Sequence, residues 1–146
     1  MFLPERFIIF FSNLKIMALA TVILQGKDNK VLLQLRDNIP NILFPNQWGL
    51  FGGHTEPGEN LLEAAIREIK EELEIDLTEK DLNLFLKTKI TDKDLFVFVA
   101  PYNMPEEKII FNEGSDAKFF SKEEIKNIKV IPEIKAVLEK YWKKFK

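Results

Sequence analysis

Residues 52–75, GGHTEPGENLLEAAIREIKEELEI, constrain this chain more than any other part of its sequence. A glycine pair is followed by a run in which apolar residues recur at the spacing of a helix, about 3.6 residues per turn. Asn60 and Glu63 have the spacing of a capping box, which marks a helix start. We therefore predict a helix over residues 60–74. Its apolar face collects Leu62, Ala65, Ile66, Ile69 and Leu73.

Three carboxylates, those of Glu68, Glu71 and Glu72, are predicted to share one narrow arc of this helix, away from the centre of its apolar face. Like charges four residues apart repel by a few tenths of a kcal/mol, and the helix dipole disfavours negative charge in the later turns. Residues 59–81 hold nine acidic and three basic side chains, a local net charge of −6. A solvated acidic face is one interpretation. A divalent cation site is the other, because carboxylate oxygens are natural ligands of such ions.

The composition narrows the kind of metal site that this chain can build. Its 146 residues include no Cys and a single His, His54, which excludes thiolate sites and multi-histidine sites within one chain. Carboxylates and backbone carbonyls remain, and these favour Mg2+, with Mn2+ as the alternative. With 21 basic and 23 acidic residues the net charge is −2, which excludes a whole-protein basic field for nucleic acid.

The segment 52–75 resembles the Nudix box. The family's box consists of Gly, five residues, Glu, seven residues, Arg-Glu, an aliphatic residue, any residue, Glu-Glu, any residue, Gly and an aliphatic residue. One departure is Glu74, which stands where the family has a Gly that ends the helix in a left-handed turn. The resemblance extends upstream to Trp48 and more weakly over most of the chain from Ala18. The matching positions are Gly53, Glu59, Arg67, Glu68, Ile69, Glu71, Glu72 and Ile75.

The resemblance implies an α+β fold, an α/β/α sandwich with a mixed β-sheet flanked by helices. It also implies an enzyme that hydrolyses the pyrophosphate linkage of a nucleoside diphosphate joined to another group, with Mg2+ or Mn2+ as cofactor. The metal ligands would be Glu68, Glu71, Glu72 and the carbonyl of Gly52. One of the glutamates would act through water as the base.

Other roles also follow from the resemblance alone. Arg67 would orient the box carboxylates, and Glu59 would hold both Arg67 and the loop that carries Gly53. Glu113, which precedes a glycine, would be an extra ligand or the base. Its alternative is an acidic turn residue.

Three residues upstream of the box are candidate substrate contacts. Arg36 ends a predicted strand before the loop 37–47, where a phosphate contact and an ordinary surface arginine are the alternatives. Phe44 and Trp48 offer aromatic faces for stacking on a base, although core packing is favoured for Trp48. For His54, a loop histidine is favoured over a phosphate contact.

Alternating and apolar patterns predict the remaining elements. Strands are expected at 18–25, 30–36, 48–51, 82–90, 95–100, 108–111 and 117–120. A short helix is expected after Ser121, and Pro132 suits the first turn of a final helix. Residues 1–16 are predicted to be an N-terminal extension, an edge strand, before a single domain over residues 17–146. Met17 is an alternative start.

Several functional alternatives remain open from the sequence. A nucleoside triphosphate is the leading substrate, with a nucleotide sugar, ADP-ribose or a dinucleoside polyphosphate as alternatives. A nucleotide-sensing module without catalysis is disfavoured, because Glu68, Glu71 and Glu72 are all present. Monomer and homodimer are both expected outcomes, since the apolar extension would suit either. No membrane partner is expected, because no segment is long enough to span a bilayer. A cytoplasmic location is the default expectation, because the N-terminal residues make a poor signal peptide.

Overall fold

The computed structural model describes residues 18–145, so the predicted extension over residues 1–16 and the alternative start Met17 lie outside the described residues. Within them, neither of the two α-helices has the length and apolarity needed to cross a membrane. The strands are β1 (Ala18–Gln25), β2 (Val31–Leu35), β3 (Trp48–Gly49), β4 (Phe51–His54), β5 (Asn83–Ile90), β6 (Lys93–Pro101) and β7 (Asp116–Phe120). The α-helices are α1 (Leu61–Leu73) and α2 (Pro132–Lys144).

In the described residues a mixed sheet of seven strands forms the centre of the domain. Five strands follow the order β3-β2-β1-β6-β5, while β4 pairs with β1 and β7 pairs with β2. Strand β1 runs parallel to β6 along all eight of its residues. On its other side β1 pairs antiparallel with β4 over residues 19–22, and it meets β2 only at Gln25 and Val31. Strands β1 and β2 thus separate beyond their hairpin, and β4 takes the place beside β1. This separation creates the space where the candidate site lies.

Helices cover the two faces of the sheet. Val22 and Phe51 pack with Ile69 of α1 on one face, whereas Ile23 and Leu95 belong to the cluster that α2 completes on the other. The alternation of side chains along β1 therefore serves two cores. The predicted α+β fold, with a mixed sheet flanked by helices, is confirmed.

Local sequence signals set both ends of α1. The Asn60 side chain accepts a hydrogen bond from the Glu63 N–H over 2.8 Å, and the Glu63 carboxylate accepts from the Asn60 N–H over 3.3 Å. The capping box is therefore complete. At the other end Glu74 adopts φ +56°, the left-handed conformation that usually falls to glycine.

Three local predictions were wrong in detail. Residues 109–111 join no strand, because Glu106–Lys108 forms a 3₁₀ turn and the Asn112 N–H bonds to the carbonyl oxygen of Glu72. The glycine pair does not end a strand at residue 51 but lies within β4, which pairs with β1. The helix expected after Ser121 is a single 3₁₀ turn, Glu124–Asn127, whose Glu124 N–H bonds to the Ser121 hydroxyl.

Candidate functional site

A cavity of about 640 Å3 opens beside the box segment. The strand β4, the helix α1, the loop 37–47 and the turn between β5 and β6 surround it. Its wall combines apolar side chains on one side with charged groups on the other. Residues at this wall include Leu19, Arg36, Phe44, Gly52, Gly53, His54, Glu68, Lys93, Leu95 and Glu113.

The glycine pair allows close approach on two sides, of β1 to Gly52 and of the Glu68 side chain of α1 to Gly53. At Gly52, φ is +140° and an added Cβ would lie 2.2 Å from the carbonyl oxygen of Ala20. At Gly53, an added Cβ would lie 2.5 Å from the carboxyl carbon of Glu68. A side chain at Gly52 would push β1 away, and a side chain at Gly53 would displace the Glu68 carboxylate. Gly53 therefore leaves the space in which the Glu68 carboxylate lies directly against β4.

Glu72 is the most deeply buried charged residue of the site, with 2% of its surface exposed. Its Oε1 accepts a hydrogen bond of 3.0 Å from the Gly52 N–H. Burial, followed by the negative charges of Glu113 and Glu68, raises the pKa of Glu72 to about 9. A positive charge is thus the partner that this carboxylate lacks.

The three box carboxylates of α1 differ widely in burial, a difference that the sequence did not predict. Glu72 turns inward beside Ile69 in the core, whereas the Glu71 side chain is 58% exposed. Glu68 lies between these extremes, and burial raises its pKa despite its contact with Arg67. The difference arises because the sheet covers α1 over a wider arc than its apolar residues alone indicate.

A buried glutamine, which the sequence analysis did not select, lies beside Glu72. Gln34 is 3% exposed, and its Nε2 donates to the Leu50 carbonyl oxygen over 3.1 Å and to Glu72 Oε2 over 3.5 Å. Its Oε1 is buried and has no hydrogen-bond partner among residues 18–145, which is rare for a buried polar atom. The signal in the sequence that could have indicated Gln34 is that it is the one polar residue within the apolar run VLLQL.

Arg67 forms the ionic centre of the loop and helix. Its Nε and one terminal nitrogen bond both oxygens of Glu59, over 2.7 and 3.0 Å. Its other terminal nitrogen lies 2.9 Å from Glu68 Oε1 and 3.4 Å from Glu71. The bond to Arg67 is the largest influence lowering the pKa of Glu59, and the bond to Glu59 likewise raises the pKa of Arg67. Arg67 also donates to the His54 carbonyl oxygen over 3.0 Å, which ties the helix to β4.

The donor set fits a hard divalent cation. Within residues 18–145, no three Asp, Glu or His side chains converge closely enough to hold an ion as they stand; Glu68 is turned toward Arg67 and Glu71 toward solvent. Nevertheless the candidate ligand atoms, those of the box carboxylates and the Gly52 carbonyl, are all oxygens, the kind that Mg2+ and Mn2+ prefer. The raised pKa of Glu72 shows that its carboxylate lacks a nearby positive charge. Among the described residues, the Oε1 of Gln34 lacks a hydrogen-bond donor.

The structure separates the three upstream candidates. Arg36 lines the cavity, but its Nε donates to the Leu43 carbonyl oxygen over 2.7 Å and so holds the loop 37–47. Phe44, with φ +54°, also lines the cavity. Trp48 does not: it packs edge-on against Phe120 with ring centroids 4.7 Å apart. Of the two alternatives for Trp48, the structure shows the favoured one, core packing, and it does not place this side chain as a substrate contact.

Two further predicted positions face the cavity. Glu113 lines it and lies close enough to Glu72 for its charge to raise that residue's pKa. His54 also lines it, and its Nε2 lies 2.9 Å from the Nζ of Lys93. Burial, followed by the charge of Lys93, lowers the pKa of His54. Lys93 was not predicted, since it lay in a stretch assigned to a turn.

Comparison with protein-family models gives one match over most of the chain. The model described as "NUDIX domain" matches residues 15–141. This range includes the glycine pair, the box helix and Glu113.

Two curated proteins illustrate the similarity in sequence. The m7GpppN-mRNA hydrolase NUDT17 of Xenopus laevis is 50% identical over 58 residues, which is 40% of this chain and 19% of that protein. The nucleoside triphosphatase NudI of Salmonella arizonae is 45% identical over 51 residues, 35% of each chain. The matches thus span about a fifth and a third of these relatives.

A solved structure extends the comparison to the whole fold. An Ap4A hydrolase of C. elegans superposes with a TM-score of 0.69, covering 87% of this chain and 97% of that one at 24% identity. At this identity the likeness establishes the fold.

Proposed function

The chain belongs to the Nudix family, and from this premise we propose that it is a divalent-metal-dependent pyrophosphohydrolase of nucleotide derivatives. The observation that carries the proposal is the placement of Glu72. Its carboxylate is buried against the N–H of Gly52, a residue that lines the cavity together with Glu68 and Glu113. If the box had only a structural role, it would not need a buried carboxylate without a positively charged partner at this position.

Four groups are proposed to hold Mg2+ or Mn2+: the carboxylates of Glu68, Glu71 and Glu72 and the carbonyl of Gly52. A bound divalent cation offsets the charge of the phosphates and lowers the pKa of a water nucleophile. The support for this assignment is the oxygen-only donor set and the burial of Glu72 without a counter-charge.

The remaining catalytic roles are proposed for residues that surround this set. Arg67 orients Glu68, to which it is bonded over 2.9 Å, and Glu59 in turn fixes Arg67. Glu113 is a candidate base because it lines the cavity, and Glu68 and Glu71 are the alternatives. Whichever carboxylate is the base would accept a proton from the attacking water.

A nucleoside triphosphate is the proposed substrate. The cavity has the size of a small-molecule site, and its apolar wall, which includes Leu19, Phe44 and Leu95, suits a nucleobase. The similarity to NudI favours a triphosphate, whereas the similarity to an Ap4A hydrolase keeps a dinucleoside polyphosphate as the second candidate. A nucleotide sugar and ADP-ribose remain alternatives, as does a sensor without catalysis.

A screen of nucleotides with Mg2+ and with Mn2+, with products identified by mass, tests the proposal. Monophosphate plus pyrophosphate identifies a nucleoside triphosphate, and AMP plus ribose phosphate identifies ADP-ribose. Binding of a nucleotide without formation of any product would indicate a nucleotide-sensing module in place of an enzyme. Absence of both binding and hydrolysis across the panel would refute the proposed function.

A further inference from the structure

Lys93 places an ammonium group at the wall of the cavity. It is the first residue of β6 and lies two residues before Leu95, so both side chains project from the same face of the sheet. Leu95 is paired with Leu19 of β1, and Leu19 is paired with His54 of β4. The sheet register thus gathers these side chains on one face, and all four line the cavity.

The partner of Lys93 is a neutral acceptor instead of a carboxylate. Its Nζ lies 2.9 Å from the Nε2 of His54, and because an ammonium only donates, that ring nitrogen accepts. Two lysines of the same hairpin behave differently: Lys87 and Lys89 pair with Asp94 over 3.8 and 3.2 Å. Among residues 18–145, Lys93 forms no ion pair. His54 therefore fixes the position of the charge without neutralising it.

A polyphosphate that enters this cavity meets mostly carboxylates. Glu56, Glu68 and Glu113 line it, and the Nε of Arg36, another cation at its wall, is engaged by the loop carbonyl of Leu43. An ammonium directed into the cavity is well suited to a phosphate oxygen, because bonds between two ions are the strong ones.

We propose that Lys93, held in place by His54, binds the phosphate chain of the substrate. The assignment deepens the proposed function and rests on it for the identity of the ligand. Lys93 would recognise the negative charge of the chain, and His54 would be a positioning residue that acts through Lys93.

Titration calorimetry with inorganic tripolyphosphate, in buffer containing Mg2+, tests this assignment. We expect Lys93→Met to raise the Kd for tripolyphosphate by about tenfold or more, since a charged hydrogen bond is lost. Lys89→Met is the matched control: it removes the same charge from the same hairpin, but its side chain is exposed and pairs with Asp94. Its Kd should stay within about twofold of the wild-type value, because Lys89, unlike Lys93, does not line the cavity. Lys93→Arg should recover most of the affinity.

Thermal melting of each variant excludes a loss of fold as the cause. For the best substrate of the nucleotide screen, Lys93→Met should raise KM by a similar factor and change kcat less, and His54→Ala should do the same more weakly. Equal Kd values for Lys93→Met and Lys89→Met, or no binding of tripolyphosphate by the wild type, would overturn the assignment. Failure of the proposed function is a different result, namely that the wild type hydrolyses no nucleotide. In that case the comparison of Kd values for tripolyphosphate still tests whether Lys93 binds phosphate.

Discussion

The backbone N–H of Gly52 donates a hydrogen bond of 3.0 Å to Oε1 of Glu72, across twenty residues of sequence. This bond joins the glycine strand to the last turn of α1 and fixes where the buried carboxylate lies. A glycine is required on the strand side, because φ at Gly52 is +140°. The two ends of the box are therefore held together by one contact at the centre of the proposed metal site.

Glu72→Gln should lower metal-dependent hydrolysis by about a hundredfold or more, since a proposed ligand is lost. The fold should persist, because the amide oxygen can still accept from the Gly52 N–H and no buried charge remains. Glu68→Gln should have the same effect. Steady-state kinetics and circular dichroism measure the two properties, with Glu139→Gln on the exposed face of α2 as the control. Full activity in either box variant would refute the ligand assignment.

Mg2+ should stabilise the protein against heat, because a cation bound only to the folded state adds to its free energy of unfolding. At a concentration a hundredfold above Kd the gain is about 2.7 kcal/mol, or a rise in Tm of about 5 °C or more. The shift should be largely absent in Glu72→Gln and retained in Glu139→Gln. Differential scanning fluorimetry with and without EDTA measures it, and an equal shift in all three proteins would place the cation elsewhere.

Glu74→Gly should raise stability without a loss of activity. Glu74 has φ +56°, and relief of a left-handed non-glycine residue is worth about 1 kcal/mol, or about 2–4 °C in Tm. The bond of 3.1 Å from the Asn112 amide to the Glu74 carboxylate is lost in this variant. Glu74→Ala is the matched control, because it loses the same bond but keeps the strained backbone. A Tm for Glu74→Gly below that of Glu74→Ala would contradict the strain argument.

Glu59→Gln should remove a contribution to stability that depends on pH. The bond to Arg67 holds the pKa of Glu59 below its usual value of 4.5. A lowered folded-state pKa stabilises the protein above the unfolded-state pKa, and this contribution disappears as the pH falls through the folded-state value.

The difference in Tm between the wild type and Glu59→Gln should therefore be greatest above about pH 5 and shrink toward pH 3. Melting curves across this range measure it. Glu56→Gln serves as the comparison, since the exposed Glu56 lies 3.7 Å from Arg67 and should contribute little. A difference that grows on acidification would mean that the Glu59 carboxylate is not stabilised by Arg67.

Much of α1 and its surroundings could be predicted from the sequence because the controlling interactions are local. The capping box joins Asn60 and Glu63, three residues apart, and the left-handed turn at Glu74 follows directly from the end of the helix. Strand patterns located the β1–β2 hairpin and the β5–β6 pair to within a few residues. The apolar pattern at 108–111 misled because Glu106–Lys108 forms a 3₁₀ turn and the Asn112 N–H bonds to α1, contacts that the pattern does not reveal.

By itself the sequence determined the helix, its caps and the spacing that puts Gly52, Glu68 and Glu72 within reach of one site. Only the tertiary structure decided which carboxylate is buried and which is exposed. It also decided that Gln34 lies beside Glu72 and that His54 holds Lys93, contacts between residues 38 and 39 positions apart. Helix periodicity and caps act within a few residues, whereas these contacts depend on strand register and on how the sheet covers α1, which no short segment encodes.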